Sequence, residues 1–152
     1  MIECTFELND KPISMFKIGS HAFPAFSGLR SHANRRSSVC LPSVGAILPG
    51  KYYIMDREAG GILGPIKDFF RGKDDWFALY ADDGHIDDAT FCDRVKRGSF
   101  RLHPKGFSGI SEGCITLENA LDFYRIRAML KGTGTFAIPG TDLRSYGRVT
   151  VK

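Results

Sequence analysis

Apolar residues alternate with polar ones over several short stretches of the chain and recur at helical spacing over one. Ile2 to Leu8 alternates well enough for a strand, Asn9-Asp10 reads as a turn, and Ile13 to Ile18 as the returning strand of a hairpin. Pro49-Gly50 turns into a strand over Lys51 to Met55, and Trp76 to Tyr80 is a second core strand. Ser99 to His103 alternates again. Phe100 and Leu102 share one face there, and Arg101 and His103 the other, because successive side chains of a strand point to opposite sides. Tyr146 to Val151 reads as a closing strand. The helical pattern is Leu117, Ala120, Leu121, Tyr124 and Ala128, with Thr116 as N-cap, Glu118 at the positive end of the dipole, and Lys131-Gly132 as the stop.

Between these elements the chain turns polar. Ser27 to Ser43 forms a long loop in which Arg30, Arg35 and Arg36 stand among Ser, His and Asn. A solvated loop is the plain reading of that cluster, and a lid that holds substrate carboxylates is the functional one. Gly60, Gly61, Gly64 and Pro65 punctuate a further loop, Asp82 to Asp88 reads as a solvated acidic turn, and Gly132-Thr133-Gly134-Thr135 as the helix exit. His21, His32 and His85 lack ligand spacing and read as surface residues, and the aspartates do not follow an EF-hand pattern, so no metal site is expected. The pattern predicts one domain over residues 1–152, mainly β, with one substantial helix directly after Cys114.

Composition narrows the function classes. A chain of 152 residues with 43% hydrophobic and 25% charged residues supports one folded core. The net charge of +4 suits a protein that visits an anionic surface, but without a Lys/Arg tract interleaved with aromatics it does not indicate nucleic-acid binding. No apolar run reaches the length of a membrane span. Met1 to Asp10 shows no basic segment followed by an apolar one, so no secretory signal peptide is expected. The four cysteines, Cys4, Cys40, Cys92 and Cys114, form no C-x-x-C pair. An even count allows two disulfides, but without export Cys4, Cys40 and Cys92 read as small buried hydrophobes.

The chemistry concentrates in Arg101 to Leu117, RLHPKGFSGISEGCITL. A strand delivers His103, a loop with Gly106 and Gly109 follows, and Ser111-Glu112-Gly113-Cys114 leads into the expected helix. A thiol before a helix N-terminus is stabilised as thiolate, the nucleophilic form. Gly113 permits close backbone approach, and the N–H groups of Gly113 and Cys114 are candidate donors to an oxyanion. His103 is the candidate base for the thiol and acid for the leaving group. On pattern alone, a small buried Cys and a polar strand-end His explain these residues equally well.

The same window resembles the signature of YkuD-type L,D-transpeptidases: His, a Gly-containing loop, then Ser-(His or Arg)-Gly-Cys and a hydrophobic residue. Ser111, Gly113, Cys114 and Ile115 match. It resembles more closely the compact L,D-transpeptidase effectors of type VI secretion systems, in which His-Pro, a spaced Gly and Ser-x-Gly-Cys-Ile-Thr recur. His103-Pro104, Gly109 and Ser111 to Thr116 fit that version. Phe26-Ser27-Gly28, Val44-Gly45 and Leu48-Pro49-Gly50-Lys51-Tyr52 look like the N-terminal half of the family, so the likeness runs from about Phe23 to Val151. Glu112 stands where the wider family has His or Arg, and Thr116 where it often has Arg or Asn, so substrate contacts at those positions do not carry over.

The resemblance implies a YkuD-like β-sandwich or barrel with its main helix after the catalytic Cys. It implies a cofactor-free enzyme in which Cys114 attacks and His103 is oriented by a backbone carbonyl. Ser111 and Glu112, in the motif before Cys114, are substrate-side candidates, and Arg101, on the strand face of His103, is a candidate carboxylate ligand for which an exposed surface arginine is the plainer reading. The implied substrate is the peptide stem of peptidoglycan. The implied setting is a protein made in the cytoplasm, carried by the type VI apparatus, acting in the periplasm of a target bacterium and countered by an immunity protein. A housekeeping cross-linking enzyme and a noncatalytic wall-binding module are the alternatives.

Overall fold

The computed structural model describes residues 1–57, 75–106 and 113–152. The glycine-punctuated loop at Gly60 to Pro65 and the residues Gly109, Ser111 and Glu112 lie outside the described residues. The chain runs through β1 (Ile2–Phe6), β2 (Ser14–Ile18), β3 (His21–Phe26), β4 (Gly50–Asp56), β5 (Phe77–Ala81), β6 (Ala89–Cys92), β7 (Val95–Gly98), β8 (Arg101–Pro104) and β9 (Ile115–Leu117). There follow α1 (Ala120–Gly132), β10 (Phe136–Ala137), β11 (Arg144–Ser145) and β12 (Gly147–Val151). No helix among the described residues is long and apolar enough to cross a membrane.

Among the described residues, eight strands close into a barrel in the order β1-β12-β4-β5-β8-β9-β3-β2. The hairpin expected at the N-terminus forms, with Cys4 opposite Ile18 and Phe6 opposite Phe16. β12 lies parallel to β1 and antiparallel to β4, closing the barrel through the last strand of the chain. Alternation does the rest: Phe6, Phe16, Tyr52, Ile54, Phe77, Leu79, Leu102, Ile115, Leu117, Val149 and Val151 all turn into one buried cluster. Among the described residues, closure leaves the barrel itself without an open sheet edge. Two hairpins decorate the barrel, β6 with β7 and β10 with β11.

The helix departs from its expected position. Ile115-Thr116-Leu117 is a strand, paired parallel to β8 and antiparallel to β3, and the helix opens only at Ala120. Its N-cap is Asn119, whose side chain accepts from the Leu121 N–H at 2.9 Å; Thr116 is not the cap. The buried stripe is Phe123, Ile126 and Leu130, with Phe123 against Phe77 at 6.2 Å, whereas Leu121 and Tyr124 are exposed. So short a segment fits a strand or a helix equally. Here β3 and β8 supply ladder partners on both sides, and the strand forms.

The polar loop before β4 is tied down from within. Asn34 is fully buried: its Oδ1 accepts from the Ser27 N–H at 2.9 Å and its Nδ2 donates to the Lys11 carbonyl at 2.7 Å. Ser27 Oγ accepts from the Ile47 N–H at 2.9 Å. Arg30, Arg35 and Arg36 face solvent, while His32, expected on the surface, is half-buried with Nδ1 2.9 Å from Ser38 Oγ. A disulfide joins Cys40 of this loop to Cys92 of β6. The reading of both as buried hydrophobes is thereby corrected: they are half-buried and covalently paired. Cys4 keeps that reading. It lies in the core, where burial first and the Glu3 charge second push its thiol up to about 12.

Candidate active site

The parallel pairing of β8 with β9 determines what meets what. Leu102 faces Ile115 and Pro104 faces Leu117, and the leucines and Ile115 are fully buried in the barrel. His103 pairs with Thr116 and points to the opposite face, as the alternation predicts. Cys114 immediately precedes β9, so the same register sets it beside Arg101, one pleat from His103 on that face. On a regular ladder this diagonal is about 8 Å between Cα atoms, within reach of an imidazole and a thiol. The pairing of β8 with β9 thus brings together the segments that carry the two residues.

His103 is held closely. It is 5% exposed, and Trp76 stacks on its ring with centroids 4.1 Å apart and planes 16° from parallel. Arg57 in turn lies over the Trp76 ring at 5.9 Å. Nδ1 lies 2.7 Å from the carbonyl oxygen of Pro104. A carbonyl only accepts, so Nδ1 carries the proton and Nε2 carries the lone pair of the neutral ring. The Thr116 hydroxyl stands 3.4 Å from Nε2. The chain therefore fixes the ring by stacking and by a main-chain acceptor, with Nε2 as the acceptor nitrogen of the neutral ring.

Cys114 is half-buried, with Sγ 3.9 Å from the Ser99 carbonyl oxygen. It opens on a cleft of about 230 Å³ lined by Pro42, Ser43, Lys96, Arg97, Gly98 and Ser99. Gly113 has φ +97°, and a Cβ there would sit 2.6 Å from Arg97 Nη2 and 2.8 Å from Phe100 Cε1. Only glycine fits both the dihedral and the space.

The electrostatics differ from expectation. β9 separates Cys114 from α1 along the chain, so among the described residues the thiol does not directly precede a helix N-terminus. Arginines stand there instead. Arg97 of β7, which the sequence reading did not single out, is 4% exposed. It donates to the carbonyls of Val39, Gly45 (3.1 Å) and Ala46 (3.3 Å) and lies over the Phe100 ring at 5.4 Å. Burial lowers its pKa, partly offset by Tyr52 and Cys114; a guanidinium stays charged regardless. Nothing in the Arg94-Val95-Lys96-Arg97 stretch distinguishes the buried arginine from its exposed neighbours.

Arg101, the candidate carboxylate ligand, has its fork on Asp88, at 2.7 and 2.6 Å, with a further bond to the Phe100 carbonyl at 2.8 Å. Burial opposes its charge, but the hydrogen bond and charge of Asp88 outweigh that, Cys114 adds to them, and its pKa is raised. The acidic stretch is accordingly more than a solvated turn: Asp88 holds Arg101, and Asp83 accepts from Thr90 Oγ1 at 2.8 Å.

The described residues form a closed β-barrel in which a histidine oriented by a main-chain carbonyl lies on β8 and a cysteine immediately precedes β9, the strand parallel to it. Residues 21–141 match the family model described as the Tlde1 domain. The chain belongs to that family, the type VI secretion effectors of L,D-transpeptidase type, which are antibacterial and directed at peptidoglycan. No curated protein and no solved structure matches the chain.

Proposed function

We propose that the protein cleaves the L,D bond of tetrapeptide stems through a thioester on Cys114. The sulfur attacks the carbonyl on the L-centre of the diamino acid. His103 Nε2 takes the thiol proton and returns it to the leaving amine, so that D-Ala departs. Backbone N–H groups of Gly113 and Cys114 hold the developing oxyanion. Water then resolves the thioester, which is carboxypeptidase activity, or a free D-amino acid does, which is exchange. Ser111 and Glu112 remain substrate-side candidates from the motif alone. Arg101 has its fork on Asp88, which balances its charge, so it is not a free ligand for a stem carboxylate.

The observation that carries this reading is the Pro104 carbonyl on His103 Nδ1, which orients Nε2 as the acceptor on the face that Cys114 shares. Effector biology supplies the setting: carriage by the type VI apparatus, action in the periplasm of a target cell, and a cognate immunity protein. The product spectrum from purified tetrapeptide fragments tests it. Tripeptide and D-Ala, or D-amino-acid-exchanged stems, are expected from the protein and absent with Cys114→Ala. Cross-linked dimers as the main product would favour a housekeeping transpeptidase. Unaltered stems, with Cys114 no more reactive than an ordinary cysteine, would favour a noncatalytic wall-binding module.

A further inference from the structure

We propose that Arg97 is a positioning residue that maintains the Cys114 sulfur as thiolate, acting as the fixed positive charge of the site. The inference rests on Cys114 being the nucleophile. Three observations carry it. The guanidinium is buried, yet among the described residues its partners are three carbonyl oxygens and an aromatic ring, with no carboxylate to neutralise it. A buried charge without a counterion is costly, so the site favours an anion beside it. The fork also lies against the backbone just before the nucleophile, as close as the absence of a Gly113 side chain allows. Finally, Arg97 and Cys114 line the same small cleft.

The cation cannot drift toward solvent. Its nitrogens are held by Val39, Gly45 and Ala46, in the loop that the Cys40–Cys92 disulfide ties to β6, the strand paired with β7. A charge fixed before reaction needs no reorganisation when the thiol ionises. Arg97 therefore supplies a local positive potential at the sulfur.

The test is the pH dependence of Cys114 alkylation by iodoacetamide, with Cys114→Ala as the blank for the other cysteines. The unsubstituted protein is expected to inflect well below about 8.5, the ordinary thiol value. Arg97→Gln keeps donors for the loop carbonyls but removes the charge, and is expected to raise the inflection by about one pH unit or more, a tenfold loss of thiolate on the acid side. Arg97→Lys keeps the charge and is expected to keep the low inflection. An ordinary inflection in the unsubstituted protein, or the same inflection with Gln as without it, overturns the proposal. If the Gln variant does not fold, Arg97→Met, which also removes the charge, decides: a raised inflection supports the proposal and an unchanged one overturns it. Stem cleavage measured alongside separates this from the reaction itself. A low inflection without cleavage removes the proposed reaction and leaves the role of Arg97 standing, whereas cleavage with an ordinary inflection does the reverse.

Discussion

Removing the Cys40–Cys92 bond by a Cys40→Ala, Cys92→Ala double substitution tests how far the active cleft depends on a covalent tie. The two residues are 52 apart in sequence. In the chain-entropy account, closing a loop of that size removes roughly 14 cal/mol/K from the unfolded ensemble, which is about 4 kcal/mol at 25 °C. With a urea slope of about 2 kcal/mol/M, the unfolding midpoint is expected to fall by about 2 M. In thermal unfolding the loss corresponds to roughly 8–16 °C for a domain of this size. The loss should extend to function, because the bond anchors the loop that brings Pro42 and Ser43 to the rim of the Cys114 cleft and presents the Arg97 acceptors. The stability comparison belongs in a Cys114→Ala background, where thiol exchange with the nucleophile cannot occur. Urea unfolding followed by tryptophan fluorescence, with and without reductant, gives the measurement. Equal midpoints for the oxidised protein and the double variant would refute the assignment of a stabilising bond. A lowered midpoint with unchanged stem turnover would refute its link to the site.

The other expectations are direct. His103→Ala or His103→Asn should lower stem turnover by roughly two to four orders of magnitude, and near-normal rates would mean that another group deprotonates Cys114. Gly113→Ala places a methyl against Arg97 and Phe100 at a left-handed dihedral; a loss of about 1–3 kcal/mol in urea unfolding and a larger proportional loss of turnover are expected. The protein should be harmless when expressed in the bacterial cytoplasm and toxic when a leader sends it to the periplasm, with toxicity abolished by Cys114→Ala. Growth curves showing equal toxicity in both compartments would contradict a wall substrate.

Read alone, the sequence determined the class of fold and singled out the candidate residues. Period-two alternation is a local property, and it placed the N-terminal hairpin, the strands at Lys51, Trp76 and Tyr146, and the opposite faces of Leu102 and His103. The window from His103 to Thr116 held the candidate residues because their spacing along the chain is itself the motif. The tertiary structure decided what depends on partners brought from afar. Cys114 leads a strand and not a helix because β3 and β8 offer hydrogen-bond ladders on both sides of Ile115 to Leu117. The true helix face is Phe123, Ile126 and Leu130 because the start moved to Asn119, rotating Leu121 and Tyr124 into solvent. Cysteine count does not specify pairing, and only the packing of the loop against β6 joins Cys40 to Cys92. Arg97 and the Arg101–Asp88 pair belong to the same group. An arginine is buried only where the fold supplies acceptors, and those of Arg97 come from Val39, Gly45 and Ala46, in a loop that tertiary packing and the Cys40–Cys92 bond bring to the β6–β7 hairpin.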